Sequence, residues 1–373
     1  MTMTLDRSPQ ALPLHLQLAS ILRERVVQGI WPEDASIPSE KALCAEFSVA
    51  RGTLRQALRR LEDEGYLRRE QGRGTFVQTT PHAVAVPDAR ARRVGFIVPY
   101  VRDSSVPTIF VGFQEASERL GWTVLFRQAN TGIDEQRATI ERLISERVAG
   151  IALYAADSDS ASPLADILPP DFPIVLIDRY LKGVNADYVA SDHFGGALWA
   201  VQYLIDNGHR RIGFVRWLST ATSIEHRMLG YQQALRERGI PVDPSLTFHV
   251  EGYPTVDVTA LVAYLARPDR PTAVMAANDQ IAIALYRAAM IAGLRVPDDL
   301  SIIGFDDLDI SSRLEPPLTT LAQPFKQVGE TAVHLLQRRI NGGGAIQRIT
   351  LSSQLMVRGS VAALTAEVEK ARG

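Results

Sequence analysis

The chain has 373 residues, of which 46% are hydrophobic and 22% charged, and it contains one cysteine, Cys44. That length exceeds what one hydrophobic core usually organises, so two or three domains are expected, while a lone cysteine excludes an internal disulfide and favours a role as a buried small side chain. No apolar run reaches membrane-spanning length and no N-terminal signal sequence is recognisable, which predicts a cytoplasmic protein.

The formal net charge of −2 hides an asymmetry along the chain. Up to Arg93 there are 14 Lys and Arg against 11 Asp and Glu, whereas the remainder contains 26 against 31. The first part is therefore net positive and the rest net negative. Because DNA binding needs a basic surface only where the DNA lies, the near-neutral total does not exclude a nucleic-acid partner.

The first predicted elements follow the order of a winged helix-turn-helix. Ser39 is a hydroxyl residue at the cap position before a short helix of residues 40–47. After a break, a second helix is predicted from about Ala50 to Glu64, with apolar residues at helical spacing on one side. A hairpin with a glycine-rich, basic tip at residues 71–74 then follows.

Arginines occupy another side of the second helix, where Arg51, Arg55 and Arg59 recur at every fourth position. A helix fits the DNA major groove, and Arg, Gln and Thr side chains can bond base edges and phosphates. The alternative is that the stripe is a solvated helix face and the basic tip an ordinary turn. The order of cap, short helix, turn, arginine-bearing helix and basic wing favours a DNA-reading unit.

This part of the chain resembles the DNA-binding domain of the GntR family of bacterial repressors over nearly all of the first 78 residues. The matching segments are Pro-Leu-His-Leu-Gln-Leu at 13–18, Trp-Pro at 31–32, Ile-Pro-Ser-Glu at 37–40, Arg-Gly-Thr-Leu-Arg at 51–55, Leu-Glu-Asp-Glu-Gly-Tyr-Leu at 61–67 and Gly-Arg-Gly-Thr-Phe-Val at 72–77. In that family the second helix and its N-terminus read the major groove, while the wing tip enters the minor groove. The resemblance therefore implies DNA contacts by Lys41, Arg51, Thr53, Arg55, Gln71, Gly72 and Arg73.

Beyond a predicted linker at residues 79–92, short apolar segments alternate with amphipathic ones. Buried strands are predicted at 94–98, 122–126, 150–153 and 174–177, with helices at 109–120 and 135–147. The pattern restarts at residues 210–215, which echo 92–97, and continues with strands at 246–250 and 272–276 and helices at 225–238, 256–266 and 280–292. This βαβ order predicts an α/β fold of two lobes with parallel doubly wound sheets and a ligand cleft between them.

The second part resembles the effector domain of the lac-repressor family, which shares its fold with periplasmic sugar-binding proteins. The resemblance spans about residues 93–360 and is carried by Pro-Ile-Val-Leu-Ile-Asp-Arg at 173–179, Gly-His-Arg-Arg-Ile-Gly-Phe at 208–214, Arg-Met-Leu-Gly-Tyr at 227–231, Ala-Asn-Asp at 277–279, Ile-Gly-Phe-Asp-Asp at 303–307 and Pro-Pro-Leu-Thr-Thr-Leu at 316–321. The lac-type headpiece is replaced by the GntR-type one, a combination similar to that of bacterial arabinose repressors.

The resulting division gives residues 1–78 to the winged helix-turn-helix, 79–92 to the linker, 93–361 to the effector-binding domain and 362–373 to a tail. Lobe 1 is assigned about 93–191 and 322–343, and lobe 2 about 192–321 and 344–361.

A sugar site needs planar charged groups that make paired hydrogen bonds, together with an aromatic wall. Asp178 and Arg179 follow one predicted strand, and Arg227 and Asp279 begin helices that follow two others. The resemblance implies effector contacts by Arg179, Arg227 and Asp279, with residues 104–110, including Ser105 and Phe110, forming a ligand loop of lobe 1. Tyr253 and then Trp217 are the expected stacking residues.

Each of these residues also has a structural alternative. Asp178 and Arg179 could form an ion pair, Asp279 could cap its helix, and the aromatic residues could belong to the core. Asp306 and Asp307 are assigned to loop and cap roles and not to the ligand.

Catalytic and metal sites and cofactors are not expected, because seven scattered histidines show no ligand spacing and no nucleophile or phosphate motif is present. The sequence predicts a repressor: a homodimer on an inverted-repeat DNA operator, controlled by a small-molecule effector that is a sugar. The alternatives are a nucleobase-type or phosphorylated effector, and a sugar-binding protein of transport type.

Overall fold

The computed structural model describes residues 13–27, 29–32, 34–63, 66–70, 73–78, 93–100, 105–129, 133–155, 167–169, 172–251 and 256–364. Gln71, Gly72 and Tyr253, all predicted site residues, lie outside these ranges. The chain divides into two compact units, Met1–Asp88 and Ala89–Gly373.

The first unit contains helices α1 (Leu14–Val27), α2 (Glu40–Phe47) and α3 (Arg51–Asp63) and strands β1 (Leu67–Glu70) and β2 (Gly74–Val77). Ser39 caps α2 as predicted, accepting a hydrogen bond from the Ala42 amide at 3.3 Å. The two strands pair antiparallel, with Leu67 opposite Val77. Leucines from α1, α2 and α3 form a common core with Leu67 and Val77. This is the predicted winged helix-turn-helix. Cys44, expected to be buried, is only half-buried.

Lobe 1 of the second unit is a six-stranded sheet in the order β13-β7-β6-β5-β3-β4, with all its pairings parallel. The strands are β3 (Arg93–Val98), β4 (Thr123–Gln128), β5 (Ile151–Leu153), β6 (Ile174–Ile177), β7 (Asp187–Ser191) and β13 (Arg348–Leu351). Its helices are α4 (Val106–Arg119), α5 (Ile133–Ser145) and α10 (Phe325–Ile340). Separate hydrophobic cores flank the two faces of the sheet, which explains why its inner strands are apolar throughout.

Lobe 2 has a second six-stranded sheet in the order β14-β12-β11-β10-β8-β9. Its strands are β8 (Ile212–Trp217), β9 (Thr247–Val250), β10 (Ala273–Ala276), β11 (Ser301–Asp306), β12 (Thr319–Ala322) and β14 (Gln354–Met356). Its helices are α6 (His193–Asp206), α7 (Thr222–Glu237), α8 (Val258–Leu265) and α9 (Asp279–Ile291). Only β14 runs antiparallel to its neighbour in this sheet, so the doubly wound α/β prediction is confirmed.

The chain passes between the lobes after β7, after β12 and after β13. The strand pairing differs from the predicted division in one place: β13 pairs with β7, so residues 348–351 belong to the sheet of lobe 1. The sequence prediction had given 344–361 entirely to lobe 2. In the part of the chain that the structure describes, none of the helices combines the length and the apolar character needed to cross a membrane.

Candidate functional site

The arginines predicted to read DNA lie on the exposed face of α3. The side chains of Arg51 and Arg55 are 68% and 57% exposed, whereas Leu54 and Leu58 on the opposite face are buried. Lys41 and Arg59 are also exposed, and Thr53 is half-buried at the start of the helix. The amphipathic division of α3 is thus as the sequence predicted.

Glu40, the first residue of α2, forms ion pairs with three of the surface arginines. Its carboxylate lies 3.1 Å from Arg55 Nε, 3.6 Å from Arg51 Nε and 3.8 Å from Arg69 Nη2 on β1. At the other end of the hairpin, Arg73 is 75% exposed and 2.7 Å from the Glu70 carboxylate. Exposed ion pairs of this kind are weak, so DNA phosphates can replace the carboxylates as partners.

The second unit contains a cavity of about 290 Å³ between its two lobes. Its lining comes from the carboxyl ends of β3, β5 and β6 in lobe 1 and of β8, β10 and β11 in lobe 2. Ligands of open α/β sheets bind at these strand ends. Five predicted residues line the cavity: Ser105, Asp178, Arg179, Trp217 and Arg227.

On the lobe 1 side, Asp178 holds Arg179 at the cavity wall. Arg179 Nη2 lies 3.3 Å from the Asp178 carboxylate and 3.2 Å from the hydroxyl of Tyr154, with its guanidinium 4.8 Å from the centre of the Tyr154 ring. Burial opposes ionisation of Asp178, but the adjacent His193, Arg179 and Arg227 outweigh it and hold the pKa of that carboxyl far below its usual range. Asp178 is therefore an anion inside the protein. The ion pair named as an alternative does exist, and both partners still face the cavity.

On the lobe 2 side, Arg227 on α7 is 4% exposed, and its guanidinium carbon lies 4.0 Å from the centre of the Phe305 ring. Its guanidinium donates to the carbonyl of Ala277, contacts His193 Nδ1 at 3.3–3.4 Å and lies 3.9 Å from Asp306 Oδ1. A buried guanidinium with such fixed partners is rigid, so its orientation toward a ligand is set before binding.

Asp306, which the sequence analysis assigned to a loop role, lines the cavity. It accepts a 2.6 Å hydrogen bond from Gln323 Nε2, and within the described residues Gln323 Oε1 is buried without a partner. The backbone at Asp306 and Asp307 has φ of 139° and 58°, conformations that non-glycine residues rarely adopt. Backbone strain of this kind is concentrated at ligand sites, and here it lies at the cavity wall. Asp307 instead pairs with Arg358 at 2.6 Å.

Asp279 does not line the cavity, although its neighbour Asn278 does. The carboxylate of Asp279 is fully buried and accepts from Ser311 Oγ and Thr320 Oγ1, both at 2.6 Å, and from the Leu308 amide at 3.0 Å. Those bonds join α9 to β12 and to the loop after β11, and burial raises the pKa of this carboxyl despite them. The geometry therefore gives Asp279 a structural role in place of the expected effector contact.

Phe110 is also absent from the cavity lining. Its ring packs edge-on against Phe96 and Phe126 in the lobe 1 core, at 5.4 and 5.0 Å. The aromatic residues that do line the cavity are Tyr100, Tyr154, Trp217 and Phe325, of which only Trp217 was expected from the sequence. The other three could have been found from their positions in the chain. Tyr100 and Tyr154 follow the ends of predicted strands, and Phe325 lies where the chain crosses between the lobes.

The described cavity wall thus has two carboxylates, two guanidiniums, two amides and four aromatic rings. Carboxylates and guanidiniums form paired hydrogen bonds to vicinal hydroxyls, and aromatic rings pack against the less polar face of a sugar. Among the described residues, no cluster of three or more His, Cys, Asp or Glu side chains could hold a metal ion.

Comparisons with known proteins agree with this architecture. Residues 14–77 match bacterial regulatory proteins of the gntR family, and residues 201–361 match a periplasmic binding protein-like domain. The arabinose metabolism transcriptional repressor of Geobacillus stearothermophilus is 30% identical over 362 residues, covering 94% of this chain and 98% of that protein. The ribose operon repressor of Haemophilus influenzae is 30% identical over 76% of this chain and 86% of its own length.

Among solved structures, a LacI family transcriptional regulator from Enterococcus faecium with bound ribose superposes with a TM-score of 0.63 at 26% identity. The match covers 73% of this chain and all of that one.

Proposed function

We infer that this chain, which belongs to the bacterial transcriptional repressors that join a gntR-family DNA-binding domain to a LacI-type effector domain, releases or binds its operator in response to a neutral monosaccharide. The reading surface is the exposed face of α3 with the wing, and the effector site is the cavity between the lobes. The relatives include an arabinose metabolism repressor and a ribose operon repressor, and a solved LacI family regulator similar to this chain has ribose bound.

The observation that carries the choice of effector is the charge balance of the cavity. Among its described lining residues, the two carboxylates of Asp178 and Asp306 balance the two guanidiniums: Arg179 lies 3.3 Å from Asp178, and Arg227 lies 3.9 Å from Asp306. A phosphorylated effector would place a dianion beside two buried carboxylates, which is costly in a low-dielectric site. A neutral polyol instead satisfies donors and acceptors in place.

The size of the cavity narrows the class further. A volume of about 290 Å³ lies just below the usual range for small-molecule pockets, about 300–1,000 Å³. A pentose or hexose fits that volume, and so does a single nucleobase. The charge balance therefore disfavours a phosphosugar, and the choice of a sugar over a nucleobase is supported by the arabinose and ribose repressors among the relatives.

A homodimer on an inverted repeat is the proposed DNA-bound form, because one winged helix covers too few base pairs to select an operator and a two-fold dimer doubles the contacts. A repressor that binds bacterial DNA acts in the cytoplasm, which is therefore the proposed location. We assign the cavity a sensing role and not a catalytic one.

The test is a thermal-shift screen of the full chain against L-arabinose, D-ribose, D-glucose, ribose 5-phosphate and adenine, followed by calorimetry on any ligand that stabilises it. Free sugars are expected to stabilise the wild type, and Asp306→Asn is expected to abolish that stabilisation. Asp307→Asn is the matched control, since the neighbouring carboxylate pairs with Arg358 away from the cavity and the variant should still bind. Stabilisation by ribose 5-phosphate or adenine alone would contradict the neutral-sugar assignment.

A further inference from the structure

His193 occupies the first crossover between the lobes. The chain leaves lobe 1 at Ser191, the last residue of β7, and enters lobe 2 at His193, the first residue of α6. The His193 side chain is 2% exposed and does not line the cavity, yet it touches polar residues of both walls. It contacts Asp178, which follows β6 in lobe 1, and Arg227, which is on α7 in lobe 2.

The two contacts fix the proton on one ring nitrogen. His193 Nδ1 faces Arg227 Nε and Nη2 at 3.4 and 3.3 Å, and a guanidinium can only donate, so Nδ1 must be the acceptor. His193 Nε2 lies 3.1 Å from the Asp178 carbonyl and 3.2 Å from Asp178 Oδ1, so Nε2 carries the hydrogen and donates. The ring is therefore neutral, in the Nε2–H tautomer.

His193 also stabilises an unusual backbone conformation in the cavity wall. Asp178 has a φ of 66°, in the left-handed region that is unfavourable for a residue with a side chain. Its carbonyl accepts from His193 Nε2 and from the hydroxyl of Tyr188 at 3.2 Å. Since Asp178 in turn holds Arg179, the imidazole orients a polar group on each side of the cleft.

We propose that His193 is a positioning residue that couples the two lobes through its neutral imidazole, so that sugar binding is lost when this ring takes up a proton. The proposal rests on the cavity being the sugar site. Protonation would remove the acceptor for Arg227 and place an imidazolium against its guanidinium, so Arg227 would lose its fixed orientation in the lobe 2 wall while the Nε2–H bond to Asp178 remains.

The groups facing His193 determine the pH range. On the lobe 1 side, the loop after β6 contributes Asp178, which is paired with Arg179, and β7 contributes Tyr188. On the lobe 2 side, α7 contributes Arg227, which lies near Asp306 of β11. Asp192 is the residue before His193 in the chain. Burial lowers the pKa of His193 below its usual value of 6.5, and Arg227 acts in the same direction against the opposing effect of Asp178. The affinity for sugar should therefore be constant at pH 6.5 and above, and it should fall only when the pH drops to this lowered pKa.

The tautomer can be measured without any sugar. In the full chain with ¹⁵N-labelled histidine, the nitrogen resonances of His193, assigned by their absence from His193→Gln, should report a neutral ring with the hydrogen on Nε2 at pH 7.5. A protonated ring or an Nδ1–H tautomer would overturn the proposal. Because this readout needs no ligand, it stays decisive even where no sugar of the panel binds, a result that would count against the proposed function alone.

The coupling is tested by the affinity for L-arabinose or D-ribose, whichever binds, from pH 5.0 to 8.0. Wild type should lose up to about tenfold in affinity per pH unit once His193 titrates, the limit for uptake of one proton. His193→Gln keeps one donor and one acceptor but does not titrate, so it should bind within a few-fold of wild type at pH 7.5 and show no such slope. His193→Ala should bind weakly at every pH.

The matched control is His209→Gln. His209 is also 2% exposed and also hydrogen-bonded, to Thr272 Oγ1 at 3.0 Å and to the Ala362 carbonyl at 3.1 Å, but within lobe 2. This variant should keep the wild-type pH slope. An unchanged slope in His193→Gln, or its loss in His209→Gln, would overturn the assignment to His193.

Discussion

Replacing Asp279 by Ala should destabilise the protein while leaving its sugar affinity intact. The carboxylate is fully buried, and its three hydrogen-bond donors come from Ser311, Thr320 and the Leu308 amide. Each buried donor left without an acceptor costs about 1–3 kcal/mol. The two hydroxyls can rotate to other acceptors and the backbone amide cannot, so a total of about 3 kcal/mol is expected.

That loss should lower the Tm of the sensor by roughly 6–12 °C, since about 1 kcal/mol corresponds to 2–4 °C in a domain of this size class. The melting temperature is measured by differential scanning calorimetry. Sugar affinity is measured by isothermal titration at 15 °C, where the variant remains folded.

The adjacent Asn278 provides the matched control. Its side chain lines the cavity and its Oδ1 caps α9 by accepting from the Ile281 amide at 3.0 Å. Asn278→Ala should therefore lower stability by only about 1 kcal/mol, the usual value of a helix cap, yet weaken sugar binding at least tenfold. The opposite pattern, with Asp279→Ala retaining its Tm but losing the sugar, would refute the structural role given to Asp279.

Two further perturbations test the DNA-reading face of α3 and the ion pairs of Asp187 in lobe 1. Arg51→Ala and Arg55→Ala should each weaken operator binding by about 1–3 kcal/mol in a fluorescence anisotropy assay, without changing sugar affinity. If both variants bind the operator normally, the arginines on α3 form only a solvated helix face. Asp187→Asn should cost about 2 kcal/mol in chemical denaturation at pH 7, because Arg338 and Arg339 both bond this buried carboxylate at 2.7–3.1 Å and remain a quarter exposed. Burial opposes ionisation of Asp187, but the arginines lower the pKa of its carboxyl. The difference in unfolding free energy between wild type and variant should therefore shrink as pH falls toward 3. A difference that stays constant with pH would contradict this account.

The fold could be predicted from sequence where local signals and burial agree. Ser39 caps α2, Leu54 and Leu58 divide α3 into two faces, and the apolar runs of lobe 1 are its inner strands. These features depend on residues close together in the chain. The placement of β13 in lobe 1 depends on a pairing with β7 across about 160 residues, which no local pattern encodes.

The cavity could be predicted only in part for a related reason. Asn278 caps α9 and lines the cavity, whereas Asp279, the first residue of that helix, is buried behind it, and the sequence does not show which of the two adjacent polar residues faces the cavity. Asp306 and Asp307 both take a positive φ, but only Asp306 lines the cavity, and the sequence Asp306-Asp307 does not reveal which carboxylate does so. The role of His193 requires the crossover geometry, which brings two distant residues to one ring.

The central claim is that a sugar in the cavity controls operator binding, and the direct measurement is operator affinity with and without the sugar. Full-length protein is titrated onto a fluorescently labelled inverted-repeat fragment in the presence or absence of saturating L-arabinose or D-ribose, in parallel with Asp306→Asn. The account predicts that sugar changes the affinity of the wild type by about 5- to 150-fold and leaves that of the variant unchanged. An operator affinity that sugar does not alter in the wild type, or alters equally in both proteins, would contradict it.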